Sequence, residues 1–85
     1  MKVRLLYFAS VREQVGTASE ELELPQGVSS VGALRAHLRQ RGPLWQAAFA
    51  EGKLLRTAVN QAMAGPMAAI AAGDEIAFFP PVTGG

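Results

Sequence analysis

The chain has 85 residues, 49% of them hydrophobic, with eight basic and seven acidic side chains, a formal net charge of +1 and no cysteine. That length suits one small domain of modest stability, because a chain this short buries only about 60% of its unfolded surface. The lack of cysteine excludes disulfides, thiol nucleophiles and thiol redox chemistry and argues against structural zinc, and the charge balance argues against a nucleic-acid stripe, since Arg35, Arg39 and Arg41 share a predicted helix with solvent-facing Gln40.

Residues 2–8 predict a strand with Val3, Leu5 and Tyr7 on one face and Lys2, Arg4, Leu6 and Phe8 on the other. The second face begins charged and ends apolar. Residues 9–15 predict a short helix stopped by Gly16. Residues 19–24 alternate again, with Leu22 and Leu24 inward and Glu21 and Glu23 outward, before a turn at Pro25, Gln26 and Gly27. The main helix is expected from Val31 to Arg41, with Ser30 as N-cap and Val31, Leu34 and Leu38 as its apolar stripe. Ala33 at the third position after Ser30 means that no capping box forms. Arg39 and Arg41 suit the helix dipole, and Gly42-Pro43 ends the helix.

A second short helix is expected over residues 44–50, with Trp45 and Phe49 on one side. Residues 54–60 predict a third strand, 67–72 a helical turn closed by Gly73, and 74–79 the last strand. Strands on one main helix make a two-layer α+β domain. The domain is placed at residues 1–79, followed by a tail at 80–85. No membrane span is expected: the longest uncharged stretch, 57–73, contains Asn60, Gln61, Gly65 and Pro66 and falls short of the ~20 apolar residues required. The apolar run 5–9 is too short for a targeting signal and is soon followed by Arg12 and Glu13, so a soluble cytoplasmic protein is expected.

Catalytic groups are scarce. The single histidine, His37, lies at the edge of the apolar stripe and reads as a boundary residue. Glu20, Glu21 and Glu23 read as a largely solvated strand, and Asp74 and Glu75 as a turn at a strand entry. There is no phosphate-binding loop, metal-ligand pattern or nucleophile elbow. A self-sufficient active site, a bound cofactor and a metal are therefore not expected on this chain.

The tail reads Pro80-Pro81-Val82-Thr83-Gly84-Gly85. Two prolines fix φ, remove backbone donors and prevent the last strand from continuing. They favour a stiff, extended path away from the body. Six such residues reach at most about 20 Å. Gly84 and Gly85 lack Cβ, so that end can enter a channel wide enough only for backbone. A Gly-rich end alone would read as fraying. Placed after Pro-Pro and an apolar strand, it is more specific: a narrow arm that presents the Gly85 carboxylate as its reactive group.

The run from Gly73 to Gly85 (Gly-Asp-Glu-Ile-Ala-Phe-Phe-Pro-Pro-Val-Thr-Gly-Gly) resembles the C-terminal signature of molybdopterin synthase small subunits. Phe8-Ala9-Ser10-Val11-Arg12-Glu13 with Gly16, Gly52-Lys53-Leu54-Leu55 and Ala58-Val59-Asn60-Gln61 are similar to further blocks of that family, in the same order. Residues 62–72 carry no matching motif. The resemblance implies a ubiquitin-like β-grasp fold and a sulfur carrier. A ubiquitin-activating-like adenylyltransferase would use ATP to adenylate Gly85, and a sulfur donor would convert the adenylate to a thiocarboxylate. The tail, from Pro80 and Pro81 through Val82, Thr83 and Gly84, would then enter the large synthase subunit, where sulfur passes to cyclic pyranopterin monophosphate. A complex of two small and two large subunits is implied.

In that fold the first and last strands are neighbours. Leu6, Phe8, Ala77 and Phe79 are then expected to form one exposed apolar patch beside the tail, a partner interface, if Ile76 and Phe78 face the core. The period alone leaves open that one of these aromatics is core. Two other functions share the tail chemistry. One is a sulfur carrier for thiamine or cysteine synthesis; the other is a ubiquitin-like modifier joined through Gly85 to lysines of target proteins.

Overall fold

The computed structural model describes residues 1–81; Val82, Thr83, Gly84 and Gly85, the distal part of the expected tail, lie outside the described residues. The elements run β1 (Lys2–Tyr7), α1 (Ala9–Val15), β2 (Ser19–Glu23), α2 (Val31–Arg39), α3 (Pro43–Ala48), β3 (Arg56–Val59), β4 (Ala62–Ala64) and β5 (Glu75–Phe79). The five strands form one mixed sheet in the order β2-β1-β5-β3-β4. β1 and β5 pair in parallel, and the other three pairs are antiparallel.

Strand alternation fixes which face is covered. Val3, Leu5 and Tyr7 of β1 and Ile76 and Phe78 of β5 are fully buried, and Val31, Leu34 and Leu38 of α2 pack against them. Phe49, just after α3, completes the core, standing edge-on to Phe78 at 5.0 Å between ring centroids and stacked on Trp45 at 6.0 Å. Gly16 closes α1 in the left-handed conformation at φ 81°, its N–H donating to Arg12 O.

Ser30 caps α2 as its type predicts, its Oγ accepting from Ala33 N at 3.1 Å. The segment 65–70 supplies the rest of the cap. Val31 N donates to Ala68 O and Gly32 N to Pro66 O, while Ser30 bridges to Ala69. A side chain at Gly32 would set its Cβ 3.1 Å from Pro66 O, so this close approach accounts for the glycine. At the other end of the helix pair, Arg35 donates to the carbonyls of Phe49, Ala50 and Lys53, and Arg39 donates to that of Phe49. Both cations thus satisfy carbonyls at the C-terminus of α3, where the helix dipole favours positive charge.

Several expectations are corrected. Residues 67–72 form no helical turn: a turn at Pro66-Met67 is followed by the extended bridge at Ala69, because the α2 N-terminus takes up the carbonyls of this segment. The Ala-rich stretch also contains a strand, β4, paired to β3 through a two-residue turn in which Asn60 and Gln61 have φ of 50° and 70°. α2 ends at Arg39, not Arg41, α3 starts at Pro43 and ends at Ala48, and β3 covers only Arg56–Val59 of the expected 54–60. Glu20 is not merely solvated, because both Tyr7 and Arg41 hydrogen-bond to it. Among the described residues no helix is long and apolar enough to cross a membrane.

Candidate functional site

The helices cover one face of the sheet, and the other carries the residues of interest. Leu6 is opposite Ala77, Ala77 opposite Ala58, and Ala58 opposite Met63, so one apolar row crosses β1, β5, β3 and β4. The next row towards the tail holds Phe79 with Arg56 beside it, and Phe8, whose N–H donates to Phe78 O. Phe8 is 47% and Met63 58% exposed; Leu6, Ala77 and Phe79 are half-buried. Phe8 points outward because it continues the alternation of β1, and Ala9, with φ 52°, then turns the chain into α1. Leu6, Phe8, Ala77 and Phe79 are thus brought onto one face. Ala58 and Met63 extend that face, which the sequence reading missed because their position depends on the β3–β4 hairpin.

Away from the tail the same face becomes charged. Lys2 is opposite Glu23, and Arg4 is flanked by Glu21 on β2 and Glu75 on β5. Apolar side chains therefore concentrate at the edge where the stem leaves. β5 ends at Phe79, and Pro80 and Pro81 follow outside the ladder. The stem thus departs from a strand paired on both sides, between Phe8 of the β1 side and Arg56 of the β3 side.

Several polar groups elsewhere are structurally committed. Tyr7 Oη donates to Glu20 Oε2 at 2.8 Å, and Arg41 donates to both Glu20 oxygens while its guanidinium lies 4.1 Å from the Trp45 ring centroid. Burial, reinforced by Glu20, pushes the Tyr7 phenol far above its ordinary value. Burial acts to raise Glu20 too, but hydrogen bonds from Arg41 and Tyr7 and the Arg41 charge outweigh it, leaving the carboxyl below its ordinary value. Asp74 accepts from Asn60 Nδ2 and Ala71 N, which hold it below the usual range, and Asn60 Oδ1 accepts from Glu75 N. This Asp74–Asn60 pair ties the β3–β4 turn to the start of β5, consistent with the turn role read from the sequence. His37 is half-buried on α2 beside the core residue Leu38, as a boundary residue should be.

Together these features define a ubiquitin-like β-grasp domain with one open apolar sheet face and a proline stem leaving its central strand. The chain belongs to the ThiS family, whose model matches residues 5–85. It is 43% identical to the molybdopterin synthase sulfur carrier subunit of Haemophilus influenzae over 83 residues, 98% of this chain and 99% of that one. It is 45% identical to the Escherichia coli protein of the same name, again over 83 residues, 98% of this chain and 99% of that one. Among solved structures it resembles a putative molybdopterin converting factor subunit 1 from Pyrococcus furiosus, with a TM-score of 0.78, 30% identity and coverage of 96% and 99%.

Proposed function

We propose that this chain is the sulfur carrier subunit of a molybdopterin synthase. One observation carries the reading: the chain is 43% and 45% identical, over 98% of its length, to carriers of that name; its own sequence from Phe79 through Pro80-Pro81 to Gly84-Gly85 supports the tail chemistry. In this reading the reacting group is the carboxylate of Gly85. A carboxylate is a poor electrophile, so an activating enzyme joins it to the α-phosphate of ATP and releases pyrophosphate. Sulfide-level sulfur released from a donor then attacks the carbonyl carbon and displaces AMP, leaving a thiocarboxylate. In the large subunit the thiocarboxylate passes its sulfur to cyclic pyranopterin monophosphate, and two such transfers complete the dithiolene. The heterotetramer of two small and two large subunits supplies the acid-base groups this chain lacks, so the sulfurtransferase activity belongs to the complex.

This chain contributes delivery. Pro80 and Pro81 favour an extended exit from the sheet, and Gly84 and Gly85, lacking Cβ, suit entry into a narrow channel. The apolar face around Leu6, Phe8, Ala77 and Phe79 docks on the enzymes that receive the tail. Intact-mass measurement of the protein from cells that also contain its activating enzyme tests the reading. The expected species is heavier by the exchange of one oxygen for sulfur at Gly85. A persistently unmodified carboxylate, or isopeptide-linked remnants on other proteins, would overturn it.

A further inference from the structure

At the root of the stem one apolar and one charged side chain stand together: Leu54, and Arg56, which falls between the family-like blocks already discussed. Arg56 is exposed and lies opposite Phe79, the last residue of β5. Continuing that antiparallel register places Leu54 across from Pro81, where proline interrupts the ladder. Leu54 is 79% exposed, and with Leu55, Arg56 and Pro81 it lines a groove of about 290 Å³. Three other arginines are engaged: Arg41 with Glu20, Arg39 with Glu51 and the Phe49 carbonyl, and Arg35 with three carbonyls; Arg4 lies between Glu21 and Glu75 in the sheet, and Arg12, like Arg56, makes no ion pair among the described residues. Among the described residues no carboxylate lies within 4.0 Å of the Arg56 guanidinium.

We propose that Arg56 and Leu54 are specificity-determining residues for the large synthase subunit, which places a carboxylate against Arg56 and an apolar side chain between Leu54 and Pro81. The inference rests on the carrier reading above. The six residues after Phe79 span at most about 20 Å, so a protein that takes Gly85 into its active site must close over the stem's root. Once covered, a guanidinium without an acidic partner is costly, whereas a matched carboxylate fixes orientation and excludes other surfaces. Leu54 supplies adjoining apolar area that is otherwise left in water, continuous with the Phe79 edge of the sheet face.

Titration of the full chain with the purified large subunit at two salt concentrations tests this. Arg56→Glu is expected to raise Kd by about tenfold or more and to flatten its salt dependence. Arg56→Gln gives the same direction at about threefold, and Leu54→Ser at about fivefold. Circular dichroism melting unchanged by any of the three would show that the loss lies in recognition. If Arg56→Glu does not fold, the Arg56→Gln and Leu54→Ser arms decide. Wild-type affinity within about twofold in the folded Arg56 variants, with unaltered salt dependence, overturns this inference alone. Failure of the wild-type chain to bind the large subunit overturns both it and the carrier reading.

Discussion

The phenol of Tyr7, a core residue of β1, donates to the carboxylate of Glu20 on the edge strand β2, and Arg41 grips the same carboxylate from beyond the end of α2. A single acidic group thereby fastens the outermost strand to the helical layer. It is also a point at which the fold is sensitive to acid.

The folded pKa of Glu20 is below its unfolded value, near the ordinary 4.5, so the unfolded chain binds more protons in that window. Its contribution is fully present above the unfolded pKa and is lost as pH falls through the folded pKa. Glu20→Gln is expected to cost about 1 kcal/mol at pH 7, a figure reduced by partial solvent screening. Urea unfolding at pH 7 and at pH 3 should show the two proteins converging in acid. Parallel stability curves would remove Glu20 from the acid response.

Gly32 is inside α2, where alanine normally adds about 1 kcal/mol. Here the added Cβ would meet Pro66 O at 3.1 Å, and that oxygen is held in place by the Gly32 N–H itself at 2.8 Å. Gly32→Ala should therefore lower stability by about 1 kcal/mol, and Gly32→Val by more. Chemical denaturation measures both. A stabilised Gly32→Ala protein would mean that the 65–70 segment yields freely.

Phe8→Ala and Phe79→Ala should weaken association with the large subunit by about 2 kcal/mol or more, while Phe8→Ala costs under about 1 kcal/mol of folding stability because the ring is already half in water. Calorimetry on the complex, paired with thermal melts of the free proteins, separates the two effects. Equal losses in both would reassign these rings to the fold.

Deleting Gly85, or extending the chain beyond it, should leave the melting curve unchanged and abolish sulfur transfer in an assay with the large subunit and its pterin substrate. Among the described residues the core lies entirely before the stem, and Gly85 has no side chain to bury. A truncated protein that still makes molybdopterin would refute the carrier mechanism.

Much of this was legible from residue patterns, for identifiable reasons. β1 and β5 alternate cleanly, so Val3, Leu5, Tyr7, Ile76 and Phe78 separated from Leu6, Phe8, Ala77 and Phe79 as two faces, while the period left open whether every aromatic of the second set was exposed until the fold buried the first. Ser30 and Gly16 are the residue types that helix ends call for. β4 was illegible because Ala62-Met63-Ala64 has no β-branched residue and its turn is Asn60-Gln61, without the usual glycine. Residues 67–72 were misread as a helical turn because their alanines favour helix, while the carbonyls of Ala68 and of Pro66 just before it are claimed by α2. Ala58 and Met63 joined the open face only through that unseen hairpin, and Arg56 gained its meaning only from its register with Phe79.

The placement of β5 in the middle of the sheet has a mechanical consequence. It is hydrogen-bonded to β1 on one flank and β3 on the other, and the stem follows directly from its C-terminal end. A pull on the stem loads both ladders in shear at once, so their bonds share the tension and do not unzip one by one. Threading the end into a tight channel, and withdrawing it after reaction, can therefore proceed against friction without unravelling the body that carries it.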